Sequence, residues 1–71
     1  MIDTLKRIES SMVYAAGYNE KGKVMEVVFC KGSIWRYYDV PKEVYEGLLR
    51  AGSAGSYMRA SVIGCYEDEP L

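Results

Sequence analysis

Residues 32–53 decide the fold of this chain and read GSIWRYYDVPKEVYEGLLRAGS. Residues 34–38 alternate and are rich in aromatic side chains, which indicates a strand. Pro41 suits the first turn of a helix because its missing N–H would have no partner there, and the apolar residues after it recur at helical spacing. We expect Gly52 to end that helix. A strand followed at once by an amphipathic helix predicts a domain of mixed α and β structure.

Two more strands and a second helix are predicted on either side of this stretch. Residues 12–18 and 23–29 alternate loosely across a polar turn in which Gly22 is available for a positive φ angle, so they are predicted to form a hairpin. Ser53 suits the N-cap of a second helix at about 54–62. The predicted fold class is therefore α+β: a small antiparallel sheet of about three strands with two short helices packed on one face.

The chain divides into an N-terminal extension at residues 1–9, a domain at 10–66 and an acidic tail at 67–71. In the extension, Ile2, Leu5 and Ile8 recur every three residues, which suits a short helix or an interface segment. A helix of that length is not stable alone. We therefore expect it to dock on its own domain, to dock on a neighbouring subunit, or to fray.

Size and charge restrict the partners. The 71 residues form one domain, and so short a chain buries only about 60% of the surface that it exposes when unfolded. A homo-oligomer would bury more surface, and we expect one. The formal net charge is −1, so no long-range field attracts duplex DNA. A small nucleotide ligand or a short single-stranded RNA is the expected partner.

Nothing in the sequence predicts a membrane protein, a metal site or a cofactor. No apolar run reaches the roughly 20 residues of a membrane span, and the first residues lack a signal-peptide pattern. Cys30 and Cys65 lie far apart and the sequence contains no histidine, so zinc is not expected. A cytoplasmic protein with two reduced thiols is predicted, and a disulfide between them is the alternative.

Catalysis is not expected either. Without histidine, the chain has no default general base near neutral pH and no Ser-His or Cys-His pair. Tyrosine, lysine, glutamate and cysteine could transfer protons or attack as nucleophiles, but no spacing singles out a pair of them. The sequence therefore predicts a binding protein rather than an enzyme.

The aromatic cluster at residues 35–38 is the first candidate binding surface. Strand alternation places Trp35 and Tyr37 on one face, and Arg36 and Tyr38 on the other, so the four cannot all lie in the core. Rings on an open face offer stacking platforms for bases, and Arg36 could meet a phosphate. In the alternative interpretation the rings fill the space between sheet and helix. We expect Trp35 and Tyr37 to be partly buried, and Arg36 and Tyr38 to be exposed.

The loop before the second helix is the second candidate. Its small residues and free backbone N–H groups lie where an anion can meet the positive end of a helix. The residues concerned are Ser53, Gly55, Ser56 and Tyr57. Arg59 lies one turn beyond Gly55, and Arg50 just before the loop, so both could point toward the same anion. In the alternative interpretation this is an ordinary capped loop in which Gly55 allows close packing.

In this order, the segments resemble the KTSC domain, a family named for its occurrence at the C-terminus of some lysyl-tRNA synthetases. Free-standing small bacterial and phage proteins also belong to it. The resemblance covers residues 11–66. It is carried by Met25-x-Val27-x-Phe29, the Gly32 turn, Trp35-Arg36-Tyr37, Asp39-Val40-Pro41 with Val44-Tyr45, and Ser53-x-Gly55-x-Tyr57.

Three positions depart from the family's pattern. Trp35 replaces the first tyrosine of a central Tyr-x-Tyr, Arg59 stands where the family tends to have asparagine, and Ile63 replaces the usual basic residue before the final glycine. The family has no assigned function, and RNA binding is suggested for it. Loss of positive charge near the end of the chain disfavours binding of polymeric RNA by this member.

The sequence as a whole predicts non-catalytic binding of a small nucleotide-type ligand, cyclic or a short oligonucleotide, by an oligomer of small domains. In a phage, such a protein could sequester a host nucleotide signal. An RNA-binding module is one alternative function. A structural or adaptor domain that buries a partner's side chains is the other.

Overall fold

A computed structural model describes residues 5–71, in which five antiparallel strands form one sheet and two helices pack on it. Each strand pairs with the next one along the chain, so the order across the sheet is sequential. The elements are β1 (Lys6–Arg7), β2 (Val13–Asn19), β3 (Val24–Phe29), β4 (Ile34–Tyr37), α1 (Lys42–Arg50), α2 (Ala54–Ser61) and β5 (Asp68–Pro70). The predicted α+β class and the two helices are confirmed.

The predicted number of strands is wrong, because the described chain adds a strand at each edge of the sheet. β1 lies in the segment for which a helix was predicted, and pairs Lys6 with Ala16 of β2. Residues 1–4, the rest of that segment, lie outside the described residues. β5 lies in the predicted acidic tail and pairs Pro70 with Trp35 of β4. Neither edge strand has an alternating apolar pattern, so pairing with a neighbour, and not local propensity, makes them strands.

The turns differ in detail from those predicted. In the β2–β3 turn the Asn19 side-chain oxygen accepts hydrogen bonds from the N–H groups of Lys21 and Gly22 at 3.0 and 3.3 Å. The positive φ angle falls on Lys23, at 54°, so its predicted assignment to Gly22 is wrong. Between β3 and β4, by contrast, Gly32 takes φ 101°, a conformation that glycine adopts without strain.

The core lies between one face of the sheet and the two helices. Alternate residues of β2, β3 and β4 point toward the helices and meet apolar residues of the β4–α1 turn, α1 and α2. The buried side chains of this core are Ile8, Val13, Ala16, Met25, Val27, Tyr37, Val40, Leu48, Ala54, Met58 and Val62. Val40 and Leu48 contribute to this core from the turn and α1, and Met58 and Val62 contribute from α2 and its C-cap.

The two helices are joined by a close contact. The Tyr57 hydroxyl of α2 donates a hydrogen bond to the Val44 carbonyl of α1 at 2.9 Å. The Tyr57 ring then lies so near Gly47 that a Cβ there would fall 2.9 Å from the ring carbon Cζ. Glycine at position 47 therefore allows α1 and α2 to pack closely against each other.

Both helices begin and end close to the predicted positions. The Ser53 hydroxyl oxygen caps α2 by accepting the Ser56 N–H at 3.3 Å, as predicted. α1 ends with Ala51 as its C-cap residue, one position before the predicted Gly52. Within residues 5–71, neither helix is long and apolar enough to cross a membrane.

Candidate ligand-binding groove

Strand β4 divides the predicted aromatic cluster between the two faces of the sheet. Trp35 pairs with Val27 and Tyr37 with Met25, so both rings lie on the face that the helices cover. Tyr37 is only 2% exposed, whereas Trp35 is half-buried. Arg36 pairs with Glu26 and points to the opposite, open face. Trp35 is thus the ring of this pair that keeps a surface for a ligand.

Arg36 and Tyr38 are held by the chain's own carboxylates. The Arg36 guanidinium donates two hydrogen bonds to one oxygen of Glu26, at 3.1 and 2.9 Å, and lies 3.6 Å from Glu69. The Tyr38 hydroxyl donates to the same Glu69 carboxylate. Both residues are half-buried, less exposed than predicted. This network ties β3, β4 and β5 together across the open face.

A groove of about 460 Å³ opens beside Trp35 on the other face. Met12 and Phe29 line it with Trp35, and two cations reach it from different elements: Lys31 from the β3–β4 turn and Arg59 from α2. Its remaining lining residues are Ser11, Cys30 and Ser33. The structure thus brings together Trp35 and Arg59, which the sequence separates by 24 positions. It leaves Arg36 on the opposite face, so the two arginines cannot hold the same phosphate.

A second hollow of about 240 Å³ shares Met12, Phe29 and Trp35 with the first and is also lined by Tyr37, Ile63 and Asp68. We call the two hollows together the Trp35 groove. Burial raises the pKa of Tyr37 above its usual value, and the negative charge of Asp68 raises it further. The two residues are neighbours because Asp68 of β5 pairs with Tyr37 of β4.

The two ends of the Trp35 groove carry opposite charges. Lys31 and Arg59 line the first hollow but not the second, and Asp68 lines the second but not the first. Within residues 5–71, the salt bridges are those of Arg36 with Glu26 and Glu69 and of Lys42 with Glu20. The two cations and the carboxylate of the groove therefore have no ion-pair partner in the described part of the chain.

The predicted loop before α2 serves packing and capping. The Ser53 hydroxyl forms hydrogen bonds with the hydroxyl and the N–H of Ser56. The Tyr57 hydroxyl donates a hydrogen bond to the Val44 carbonyl. Gly55 is buried against Met12, since a Cβ there would lie 3.2 Å from the Met12 sulfur. None of the four loop residues lines the Trp35 groove. Gly55 affects it only by letting Met12, one of its lining residues, pack against α2.

Of the nine predicted site residues, the groove therefore contains Trp35, Tyr37 and Arg59. The residues that sequence reasoning missed are Ser11, Met12, Phe29, Cys30, Lys31, Ser33, Ile63 and Asp68. Phe29 could have been found from its period-two spacing with Met25 and Val27. Asp68 could not, because only the pairing of β5 with β4 brings it beside Tyr37.

The groove is suited to binding a flat anion. Trp35 offers an aromatic surface, and Lys31 and Arg59 offer hydrogen-bond donors. Within residues 5–71, no group of three or more acidic or cysteine side chains could hold a metal ion. Cys30 and Cys65 are both exposed free thiols in this structure and do not form the alternative disulfide.

Sequence and structure comparisons with known proteins point to the same family. The family model described as KTSC domain matches residues 9–66. A protein from Tsukamurella paurometabola is 36% identical over 58 residues, which cover 82% of this chain and 87% of that protein. A lysine–tRNA ligase from Nostoc punctiforme is 30% identical over 67 residues, which are 94% of this chain and 12% of the ligase.

A solved structure has the same fold. The crystal structure of a KTSC domain protein from Yersinia pestis superposes with a TM-score of 0.92 at 19% identity, and the match covers 96% of each chain. The family model, the relatives and the shared fold agree over nearly all of the described residues. The chain belongs to the KTSC domain family.

Proposed function

We propose that this domain binds a small nucleotide-type ligand in the Trp35 groove and leaves the ligand's bonds intact. The base stacks on Trp35, and a phosphate is held by Lys31 and Arg59. The observation that carries the proposal is that the half-buried ring of Trp35 lines an open groove together with two cations that have no ion-pair partner among residues 5–71.

The size of the groove supports a small ligand. Its larger hollow, about 460 Å³, lies within the range of roughly 300–1,000 Å³ that is common for small-molecule sites. A long RNA would need an extended basic surface, whereas this chain has a net charge of −1. One nucleotide, a cyclic nucleotide or a very short oligonucleotide is therefore the ligand class we propose.

Stacking and charge together would give modest affinity. A base stacked on an aromatic ring contributes roughly 1–3 kcal/mol, and a hydrogen bond to a charged group roughly 1.5–3 kcal/mol. Part of this is offset by the cost of association. We therefore expect weak binding by one subunit, with a dissociation constant of about 0.1 mM or higher. We also propose a homo-oligomer, because so short a chain buries little of its own surface.

The test is calorimetric titration of the intact chain with mononucleotides, cyclic nucleotides and short RNAs, run beside light scattering. We expect Arg59→Ala and Trp35→Leu each to weaken nucleotide binding by about tenfold. Arg50→Ala is the matched control, because Arg50 is exposed but does not line the groove. If no nucleotide binds, or if all three variants bind like the wild type, the proposal is wrong.

An RNA-binding module gives a different result in the same titration. Its affinity would fall steeply with added salt, because each neutralised phosphate releases counterions. Binding at the Trp35 groove involves two cations, so we expect a shallow salt dependence and saturation at one ligand per groove. A steep slope with short RNA would favour the RNA-binding function over the proposed one.

A further inference from the structure

Asp68 closes the end of the Trp35 groove that lies away from the two cations. β5 pairs Asp68 with Tyr37 and Pro70 with Trp35, so Asp68 points to the same face of the sheet as the two rings. The next residue, Glu69, points to the other face and meets Arg36 and Tyr38 there. Asp68 is the acidic residue that lines the groove within the described part of the chain.

A carboxylate beside an aromatic surface selects among bases by hydrogen bonding. An ionised carboxylate has two acceptor oxygens and no donor. Guanine presents two adjacent donors on one edge, the ring N1–H and the 2-amino group, which match those oxygens. Adenine and cytosine each present an amino donor next to a ring nitrogen acceptor, and uracil presents one N–H between two carbonyls. In these three bases a lone pair would face a carboxylate oxygen and weaken binding.

The orientation of the ligand follows from the charges of the groove. A nucleotide carries its phosphate at one end and its base edge at the other. Lys31 and Arg59 attract the phosphate to the first hollow, and Asp68 repels it from the second. A base stacked on Trp35, which lines both hollows, then directs its outer edge toward Asp68.

We propose that Asp68 makes the Trp35 groove selective for guanine nucleotides by accepting hydrogen bonds from the guanine N1–H and 2-amino groups. This inference rests on the proposed function, since it takes the Trp35 groove to be a nucleotide site. It adds the identity of the base and assigns Asp68 the role of specificity determinant.

Calorimetric titration of the intact chain with GMP, IMP and AMP tests the selectivity. We expect the wild type to bind GMP at least about tenfold more tightly than AMP, the discrimination typical of one bidentate base contact. IMP keeps N1–H but lacks the 2-amino group, so its affinity should fall between the two. Asp68→Asn replaces one acceptor with a donor, and should bring GMP and AMP to within about twofold.

Glu67→Gln is the matched control, because it removes one negative charge from the adjacent exposed residue, which does not line the groove. We expect it to keep the preference for GMP. Circular dichroism should give the wild-type spectrum for both variants, since both side chains are exposed.

The outcomes separate the two proposals. If GMP and AMP bind the wild type equally, or if Asp68→Asn keeps the preference for GMP, the selectivity of Asp68 is refuted while nucleotide binding stands. If neither nucleotide binds, both proposals fail together.

Discussion

Arg36 donates two hydrogen bonds to the same oxygen of the Glu26 carboxylate, at 3.1 and 2.9 Å, in the middle of the open sheet face. Glu26 is only 4% exposed. Its partner on β2 is Gly17, which has no side chain that could hydrogen-bond the carboxylate. The Arg36 guanidinium is therefore the group that neutralises this carboxylate. The pair lies on the face opposite the Trp35 groove.

Replacement of Arg36 should accordingly cost stability and leave nucleotide binding unchanged. Arg36→Ala leaves the Glu26 charge buried without its partner, which should lower the free energy of unfolding by roughly 2–3 kcal/mol. The double variant Arg36→Met with Glu26→Leu should recover most of the loss. Urea denaturation measures both effects. If Arg36→Ala were stable but failed to bind nucleotide, Arg36 would belong to the ligand site after all.

Gly47→Ala should destabilise the helix pair even though alanine favours helices. The added Cβ would lie 2.9 Å from the Tyr57 ring and displace it from its hydrogen bond with Val44. Crowding should lower the free energy of unfolding by roughly 1–3 kcal/mol. This cost should exceed the gain of about 1 kcal/mol that alanine gives in helix propensity.

Two controls separate crowding from propensity at position 47. Gly52→Ala has open space around the new Cβ and should be nearly neutral. In a Tyr57→Ala background, Gly47→Ala should become stabilising, because the ring that it would crowd is gone. Thermal unfolding of the four variants tests this, and a stable Gly47→Ala single variant would contradict the contact.

Alkaline pH should weaken the fold through the buried tyrosines. Burial, assisted by Asp68, raises the pKa of Tyr37 above its usual value near 10. The folded state therefore holds this proton more tightly than the unfolded state does. The resulting stabilisation is fully present below about pH 10 and is lost as the pH rises through the folded pKa.

Tyr37→Phe should thus lose less stability than the wild type between pH 8 and pH 11, measured by urea denaturation. Tyr14→Phe is the control, because Tyr14 is 48% exposed. Burial also raises the pKa of Tyr18, Tyr45 and Tyr57, so the variant should retain part of the alkaline loss. An identical pH profile for wild type and Tyr37→Phe would show that Tyr37 ionises freely in the folded state.

The two thiols offer a direct footprint of the Trp35 groove. Both are exposed, but Cys30 lines the groove and Cys65 lines neither hollow. A bound nucleotide should therefore slow alkylation of Cys30 by iodoacetamide and leave Cys65 unaffected. Mass spectrometry of the labelled peptides gives both rates in one sample. Equal protection of the two thiols, or none at saturating nucleotide, would place the ligand elsewhere.

Periodicity in the sequence was enough to predict the central part of the fold. The alternation of Met25, Val27 and Phe29 predicted β3, and the stripe from Val40 to Leu48 predicted α1. Ser53 predicted the start of α2. The edge strands escaped prediction because Lys6–Arg7 and Asp68–Pro70 are short and polar, and local propensity alone does not favour a strand there.

The predicted site was only partly assembled by the fold. Trp35 and Arg59 meet in one groove, but strand alternation sends Arg36 to the opposite face. The Ser53 loop is used for capping, and Tyr57 holds the two helices together. Lys31 and Asp68 complete the groove from elements whose pairing no local pattern reveals.

The sequence by itself determined the α+β class, the central hairpin and the two helices, because each follows from the spacing of apolar residues along the chain and from its caps and turns. Only the tertiary structure decided which charges surround Trp35. Lys31, Arg59 and Asp68 come from a turn, a helix and an edge strand, and they meet because β5 adds to β4 and α2 packs over the sheet. These contacts join residues far apart in the chain, so they depend on long-range pairing and packing and leave no periodic signal in the sequence.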